Sequence, residues 1–145
     1  MKQFTFPLKD KSDLTEPMQK AFDRSVSRRG EAKLISAMGH APDLFDWYVD
    51  DFYQKLFYQG SAPTKYKELG RLRLSQVHGC RSCNKGNRLD AEAAGLSSGK
   101  IAAIGDIESN VFNAADKAVI QLADLMSLHA NGDRLSQSLY DDLRV

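Results

Sequence analysis

The residues in this chain best suited to chemistry are its two cysteines, in the segment Cys80-Arg81-Ser82-Cys83. They follow Gly79 at the expected start of a helix, where unsatisfied backbone N–H groups and the positive end of the helix dipole favour a thiolate. A second thiol three residues later lies on the same helical face and can close a disulfide with the first. The spacing predicts a dithiol redox site with Cys80 as nucleophile and Cys83 as resolving partner, although it leaves their order open.

Two other interpretations of the cysteines stay open at this point. Free cysteines are often buried and unreactive, so the pair could belong to the core. Alternatively, His78 and the two cysteines could supply three metal ligands. A closed zinc site needs four ligands, commonly with a second cysteine pair, and the sequence has none. We therefore expect no metal and no cofactor here.

Two helices are expected to meet at this cysteine segment. The first runs from about Thr64 to His78 and ends at Gly79, as helices commonly end at glycine. The second begins at Cys80 or Arg81, continues to Ala94 and stops at Gly95. The cysteines should therefore lie at a tight corner between two helices.

Apolar residues at three- and four-residue steps predict further helices on both sides of the corner. An amino-terminal helix, capped by Asp13, carries Leu14, Met18, Phe22 and Val26. A core helix then follows with Phe45, Tyr48, Val49, Phe52 and Leu56. Another helix, ending near Asn131-Gly132, carries Ala115, Ala118, Val119, Leu122, Leu125 and Met126. No strand-like alternation is long enough to matter, so we expect an all-α helical domain over residues 13–145, preceded by an arm over residues 1–12.

Composition narrows the classes of function. At 145 residues, 42% hydrophobic and 27% charged, the chain fits one folded domain. A formal charge of +1 provides no general field for binding nucleic acid or anionic lipid. No apolar run approaches the ~20 residues that cross a bilayer, and the amino terminus lacks a signal-peptide core. We expect a cytoplasmic protein without nucleic-acid or membrane partners.

Several segments around the cysteines share a pattern with a known family. They are Glu68-Leu69, Arg71-Leu72-Arg73, Gly79-Cys80-x-x-Cys83 and Ala93-Ala94-Gly95-Leu96-Ser97. The preceding His40-Ala41-Pro42-Asp43-Leu44 and the later Ala114-Ala115-Asp116-Lys117-Ala118 extend the pattern. Over about residues 34–140 the chain resembles the AhpD-like alkylhydroperoxidases of the carboxymuconolactone decarboxylase superfamily.

This resemblance implies an all-helical subunit that assembles into homo-trimers or hexamers. It also implies a dithiol that reduces hydroperoxides or exchanges disulfides, an antioxidant activity supplied with electrons by a partner protein or a small thiol. In the family, a glutamate at the position of Glu68 passes protons to the cysteines through histidines. Glu68 therefore joins Cys80 and Cys83 as a candidate catalytic residue.

The chain departs from the family pattern at the histidines. Relatives with the full relay have histidines where this chain has Ser82 and Asn87, and neither side chain transfers protons near neutral pH as imidazole does. Asn87 could hold a water or hydrogen-bond Glu68, and His78 is the only nearby histidine. Two alternatives follow: a lyase that decarboxylates a lactone acid, or a non-catalytic member that lost the relay.

The position of Glu68 raises a geometric question. Ten residues of helix separate it from His78, or about 15 Å along the axis. A simple hairpin would not bring its carboxylate beside Cys80. The two helices would have to cross, or a second subunit would have to intervene.

Overall fold

The regular structure of this computed structural model, which describes residues 6–128 and 135–144, is helical with no strand in those ranges. The all-α prediction is confirmed. The chain divides into two compact units, residues 1–60 and 61–145, each described here by itself. The arm over residues 1–12 and the single domain over residues 13–145 stay predictions. Within the described ranges, no helix is both long and apolar enough to cross a membrane.

The first unit consists of short helices joined by tight turns. They are a 3-10 turn at Lys11–Asp13, α1 at Glu16–Arg29, α2 at Lys33–Met38, α3 at Pro42–Asp46 and a π-helix at Trp47–Tyr58. Thr15 is the N-cap of α1, with Pro17 in the first turn, and Gly30 ends the helix at φ 84°. Asp13 was expected to cap α1 but lies in the preceding 3-10 turn.

The core of the first unit is small. Leu14, Met18 and Phe45 are buried, and partly buried residues from α1, α2 and the π-helix pack around them. The predicted stripe on α1 holds as far as Phe22 and fails at Val26, whose side chain is 41% exposed. The core cluster does not extend to that last turn, so the final position of the stripe faces solvent in this unit.

The aromatic segment differs from the single core helix that its periodicity predicted. It is divided between α3 and the π-helix, and of the predicted face only Phe45 is buried, while Leu56 is 65% exposed. Hydrogen bonds in a π-helix run from i to i+5, so three- and four-residue steps no longer form one stripe. The aromatic rings pack against each other instead. In addition, the Tyr48 hydroxyl donates a hydrogen bond to the Tyr53 hydroxyl at 3.3 Å.

The second unit contains the predicted corner. Its helices are α4 at Thr64–Val77, α5 at Arg81–Ala93, α6 at Ser98–Ala102, α7 at Ala114–Leu128 and α8 at Gln137–Asp142. The ends of α4 and α5 agree with the prediction to within a residue. α4 packs against both α5 and α7. The core cluster of buried residues comprises Leu69, Leu72, Ala91, Leu96, Ile101, Ile104, Phe112 and Ile120.

The buried face of α7 is rotated from the predicted one. Ala118 is buried as expected, but Met126 is 68% exposed and Ile120, which was not predicted, is fully buried. One cause is an ion pair: Arg73 of α4 binds both carboxylate oxygens of Asp124, at 2.6 and 2.9 Å, and fixes which side of α7 faces α4. The predicted end of this helix near Asn131-Gly132 lies outside the described residues.

Candidate dithiol site

A helix-ending motif forms the corner between α4 and α5, and Cys80 takes part both in the end of α4 and in the start of α5. His78 is the C-cap of α4, and Gly79 follows in the left-handed conformation at φ 63°. The Gly79 N–H donates to the Gln76 carbonyl at 3.0 Å, and the Cys80 N–H donates to the Ser75 carbonyl at 3.1 Å. These two bonds form a Schellman motif. Glycine has no Cβ, so it adopts the positive φ of this motif without the steric penalty that another residue would have.

Cys80 is also the first cap of the next helix. Its backbone is extended, and its Sγ accepts a hydrogen bond from the Cys83 N–H at 3.3 Å. The residue that closes α4 therefore begins α5. This arrangement places its sulfur at the positive end of a 13-residue helix, where a thiolate is stabilised.

The two cysteines are joined in this structure. Their sulfur atoms are 2.08 Å apart and their Cα atoms are 5.2 Å apart, so Cys80 and Cys83 form a disulfide across the first turn of α5. Both residues are half-buried. The structure therefore brings together the two cysteines that the sequence predicted as a dithiol.

A polar pair that the sequence analysis did not identify, Ser75 and Asn84, lies beside the disulfide. The Asn84 side-chain amide donates to the Ser75 carbonyl at 3.2 Å, and its oxygen lies 3.0 Å from the Ser75 hydroxyl. That carbonyl also accepts the Cys80 N–H, so one oxygen atom accepts two hydrogen bonds, from Asn84 and from Cys80. Asn84 lies four residues after Cys80, on the same side of the helix. That spacing was the only signal in the sequence, and it is a weak one.

Glu68 lies at the other end of the same helical interface. Its side chain is 1% exposed, and its carboxylate binds the Arg71 guanidinium at 2.6 Å. The same Arg71 nitrogen binds Asp90 of α5, also at 2.6 Å. Asp90 comes ten residues after Cys80, which is about 15 Å along a helix axis. Glu68 is therefore placed in a buried ion network beside the far half of α5.

The interacting pairs show how the two helices run. Ser75 meets Asn84, the Arg71 carbonyl accepts from the Asn87 amide at 3.2 Å, and the Arg71 side chain meets Asp90. Steps backward along α4 match steps forward along α5, so the helices form an antiparallel hairpin. A polar seam follows this hairpin from the disulfide to the Glu68 network, between otherwise apolar surfaces.

The three supporting residues proposed from the sequence lie in three different environments. Asn87 is buried in the polar seam. Ser82 is half-buried in the first turn of α5, between the cysteines, and His78 is exposed at the end of α4. Arg71 and Asp90 were not identified as site residues, although Arg71 binds the buried Glu68 carboxylate and links it to Asp90.

The described residues offer little to hold a metal or cofactor. No group of three or more His, Cys, Asp or Glu side chains among them is arranged around a metal position. A pocket of about 160 Å³ lies at the turn after α5, lined by Lys65, Lys100 and Asp116 among others. The buried Asp116 carboxylate pairs with Lys100, so most of the charge in that pocket is already balanced.

Comparison with known proteins gives one match. The model of the carboxymuconolactone decarboxylase family matches residues 42–125, which is more than half of the chain and includes α4, the cysteines and α5. No curated protein and no solved structure matches the chain. The resemblance expected from the sequence is confirmed at the level of this family model, and the chain belongs to the carboxymuconolactone decarboxylase family.

Proposed function

We propose that this protein is a thiol-dependent oxidoreductase that reduces hydroperoxides, or disulfides, with the Cys80–Cys83 dithiol. The observation that carries the proposal is the closed disulfide at the first turn of α5, with the Cys80 sulfur accepting a backbone hydrogen bond. A sulfur in this environment is stabilised as thiolate, and its partner is within bonding distance. Membership of the family supports the assignment because the family includes peroxidases of this kind.

The reaction needs two steps at the dithiol. In the first, the Cys80 thiolate attacks a peroxide oxygen, the O–O bond breaks, and the leaving alkoxide takes a proton to become an alcohol. The sulfur becomes a sulfenic acid. In the second, the Cys83 thiol attacks that sulfur, the disulfide forms and water leaves. An external thiol donor then returns two electrons and two protons to the pair.

The helix start and the Asn84–Ser75 pair support Cys80 as the attacking sulfur. Cys80 accepts the N–H of Cys83, whereas the Cys83 sulfur has no such donor among the described contacts. The polar seam contains no histidine, so we propose that protons reach the half-buried dithiol from solvent. In this scheme Glu68 acts through the hairpin that it stabilises.

A second candidate function is the lyase activity after which the family is named. The buried Glu68 carboxylate would supply an acid–base group for decarboxylating a lactone acid, and its Arg71 partner would hold a negative charge without itself transferring a proton. This chemistry does not need the thiols. Substrate turnover that survives complete alkylation of both cysteines would favour the lyase over the peroxidase.

The experiment that tests the proposal is a hydroperoxide-reduction assay with several thiol donors. We expect Cys80→Ser to abolish turnover and Cys83→Ser to slow it, because the Cys80 sulfenic acid then lacks its resolving cysteine and must react with a donor thiol instead. Gln76→Ala is the matched control, because the Gln76 side chain is exposed and lies one turn before the corner. This variant should keep normal turnover. Hydroperoxide consumption at the normal rate by both cysteine variants would refute the proposal. If no variant and no donor gives turnover, and the reduced thiols show no enrichment in thiolate, the protein is a non-catalytic member.

A further inference from the structure

The outer face of α5 carries three basic side chains. Arg81, Lys85 and Arg88 occupy positions i, i+4 and i+7, and all three are exposed. We call them the basic stripe. Arg81 is the residue directly after Cys80, and the stripe extends about 10 Å along the helix from there. The positive end of the α5 dipole lies at the same end of the helix.

The charges of the basic stripe are not balanced within the part of the chain that the structure describes. None of its three residues takes part in an ion pair there, although Arg71, Arg73 and Lys100 of the same unit each bind a carboxylate. Among the described residues, the one side-chain hydrogen bond of the stripe runs from Arg88 to the Ile101 carbonyl at 3.4 Å, and this neutral acceptor leaves the Arg88 charge uncompensated. An exposed row of like charges attracts an oppositely charged partner and raises its association rate.

We propose that the basic stripe is the docking surface for the electron donor of the dithiol, and that this donor is a protein whose reactive dithiol is surrounded by acidic residues. This inference rests on the proposed function, because it concerns the step in which the Cys80–Cys83 disulfide is reduced. A small carboxylate thiol would meet one of the three charges at a time. A row of about 10 Å fits the surface of a protein.

The step at this surface is a thiol–disulfide exchange. A donor thiolate attacks one sulfur of the Cys80–Cys83 disulfide, the S–S bond breaks, and a mixed disulfide forms. The second donor thiol attacks the mixed disulfide and becomes part of a disulfide in the donor. The donor is oxidised by two electrons, and Cys80 and Cys83 take up those electrons with two protons.

The test uses synthetic dithiol peptides with one Cys-Gly-Pro-Cys core, flanked by glutamates, by glutamines or by lysines. Each reduces the oxidised protein in the absence of peroxide, and acid quenching, alkylation and mass spectrometry give the second-order rate constant. Every rate constant is divided by that of the same peptide with the uncharged hydroxyethyl disulfide. This ratio removes differences in thiol reactivity among the peptides.

At low salt we expect the glutamate peptide to react about tenfold faster than the glutamine peptide, and the lysine peptide to react more slowly than both. The preference should fall below about twofold at high salt. It should disappear in the variant R81Q/K85Q/R88Q and persist in the matched control K20Q/R24Q/K33Q, whose three positions are exposed in the first unit. Far-UV circular dichroism checks that both variants are folded.

Equal rates of the glutamate and glutamine peptides with the natural protein would overturn the proposal, as would a preference that the stripe variant retains. Mercaptosuccinate should gain less than about threefold over an uncharged small thiol. A gain as large as that of the peptide would overturn the assignment of a protein donor. Because no peroxide is present, these results are independent of the hydroperoxide assay. Loss of peroxidase activity with the charge preference intact would contradict the proposed function alone.

Discussion

Replacing Arg71 with methionine is the change that most sharply tests the buried polar seam. Arg71 binds both Glu68 and Asp90 in the described interface between α4 and α5. Methionine keeps a side chain of similar length and apolar character at its stem but removes the charge. The variant removes the positive charge that Glu68 and Asp90 share.

The structure sets the expected size of the effect. The side chains of Arg71, Glu68 and Asp90 are 17%, 1% and 12% exposed, so solvent screens the network weakly. Removing one partner of a buried ion pair costs about 3–5 kcal/mol. Protonation of one carboxylate reduces this destabilisation. For an ordinary glutamate, protonation costs about 4 kcal/mol at pH 7 and about 1 kcal/mol at pH 5. We expect Arg71→Met to lose about 3–4 kcal/mol at pH 7.

The loss should become smaller as the pH falls from 7 to 5. In the folded variant the carboxylates that have lost Arg71 bind protons more readily than they do in the unfolded chain, so lower pH favours the folded state of the variant. Urea unfolding followed by far-UV circular dichroism measures both values. The double variant Glu68→Gln with Arg71→Met should recover part of the loss, because it leaves one carboxylate instead of two.

Lys20→Met is the matched control. Lys20 pairs with Glu16, but the two side chains are 75% and 80% exposed, so the same substitution should cost less than about 0.5 kcal/mol. A loss below about 1 kcal/mol for Arg71→Met, independent of pH, would refute the description of the network as buried and mutually dependent.

Three further changes test other parts of the structure. Arg73→Met should destabilise the protein by about 3 kcal/mol in urea unfolding, since it leaves Asp124 without its partner between α4 and α7; a loss near zero would mean that this pair does not hold α7. Gly79→Ala should cost about 1–2 kcal/mol in thermal unfolding, because the backbone there has φ 63° and no neighbouring atom would contact an added Cβ. Gly79→Asn should cost less, and equal losses would contradict this explanation. The hydrogen bond and the charge of Asp51 raise the pKa of Lys55. The Lys55–Asp51 pair should therefore be fully present below about pH 10.4, the ordinary lysine pKa, and should be lost as the pH rises through the higher pKa of the folded state. NMR titration should show a lower Lys55 pKa in Asp51→Asn. An unchanged Lys55 pKa would exclude Asp51 as the cause.

The corner was predictable because its signals are local. Gly79 between two helical patterns, followed by the cysteine pair, specifies a helix end, a turn and a helix start within a few residues. The ends of α4 and α5 agree with this prediction. The same local signals placed the two cysteines one turn apart, and the structure joins them.

Interactions between distant residues were not predictable from spacing. Asn84 and Ser75 are polar residues on helices, and in sequence they look like solvated positions; only the antiparallel hairpin brings them together under the disulfide. The charges of Arg71 and Asp90 likewise gave no sign that they would share a buried site with Glu68. Distance along α4 did indicate that Glu68 would be far from Cys80 in a simple hairpin.

The aromatic segment shows where periodicity fails. A three- and four-residue stripe assumes the geometry of an α-helix, and the π-helix at Trp47–Tyr58 changes which side chains share a face. Nothing in the composition of the segment indicated this change. In α7, the Arg73–Asp124 pair and the burial of Ile120 select a face that overlaps the predicted one only in part.

The most direct test of the central claim is a single-turnover reaction of the fully reduced protein with one equivalent of hydroperoxide, analysed by intact mass spectrometry. Because Cys80 and Cys83 are the only cysteines of the chain, the count of thiols is unambiguous. We predict that each peroxide consumed removes two thiols and forms the Cys80–Cys83 disulfide, and that Cys83→Ser accumulates a sulfenic acid on Cys80. Peroxide consumption with both thiols still free, or no reaction of the reduced protein with hydroperoxide, would contradict the account.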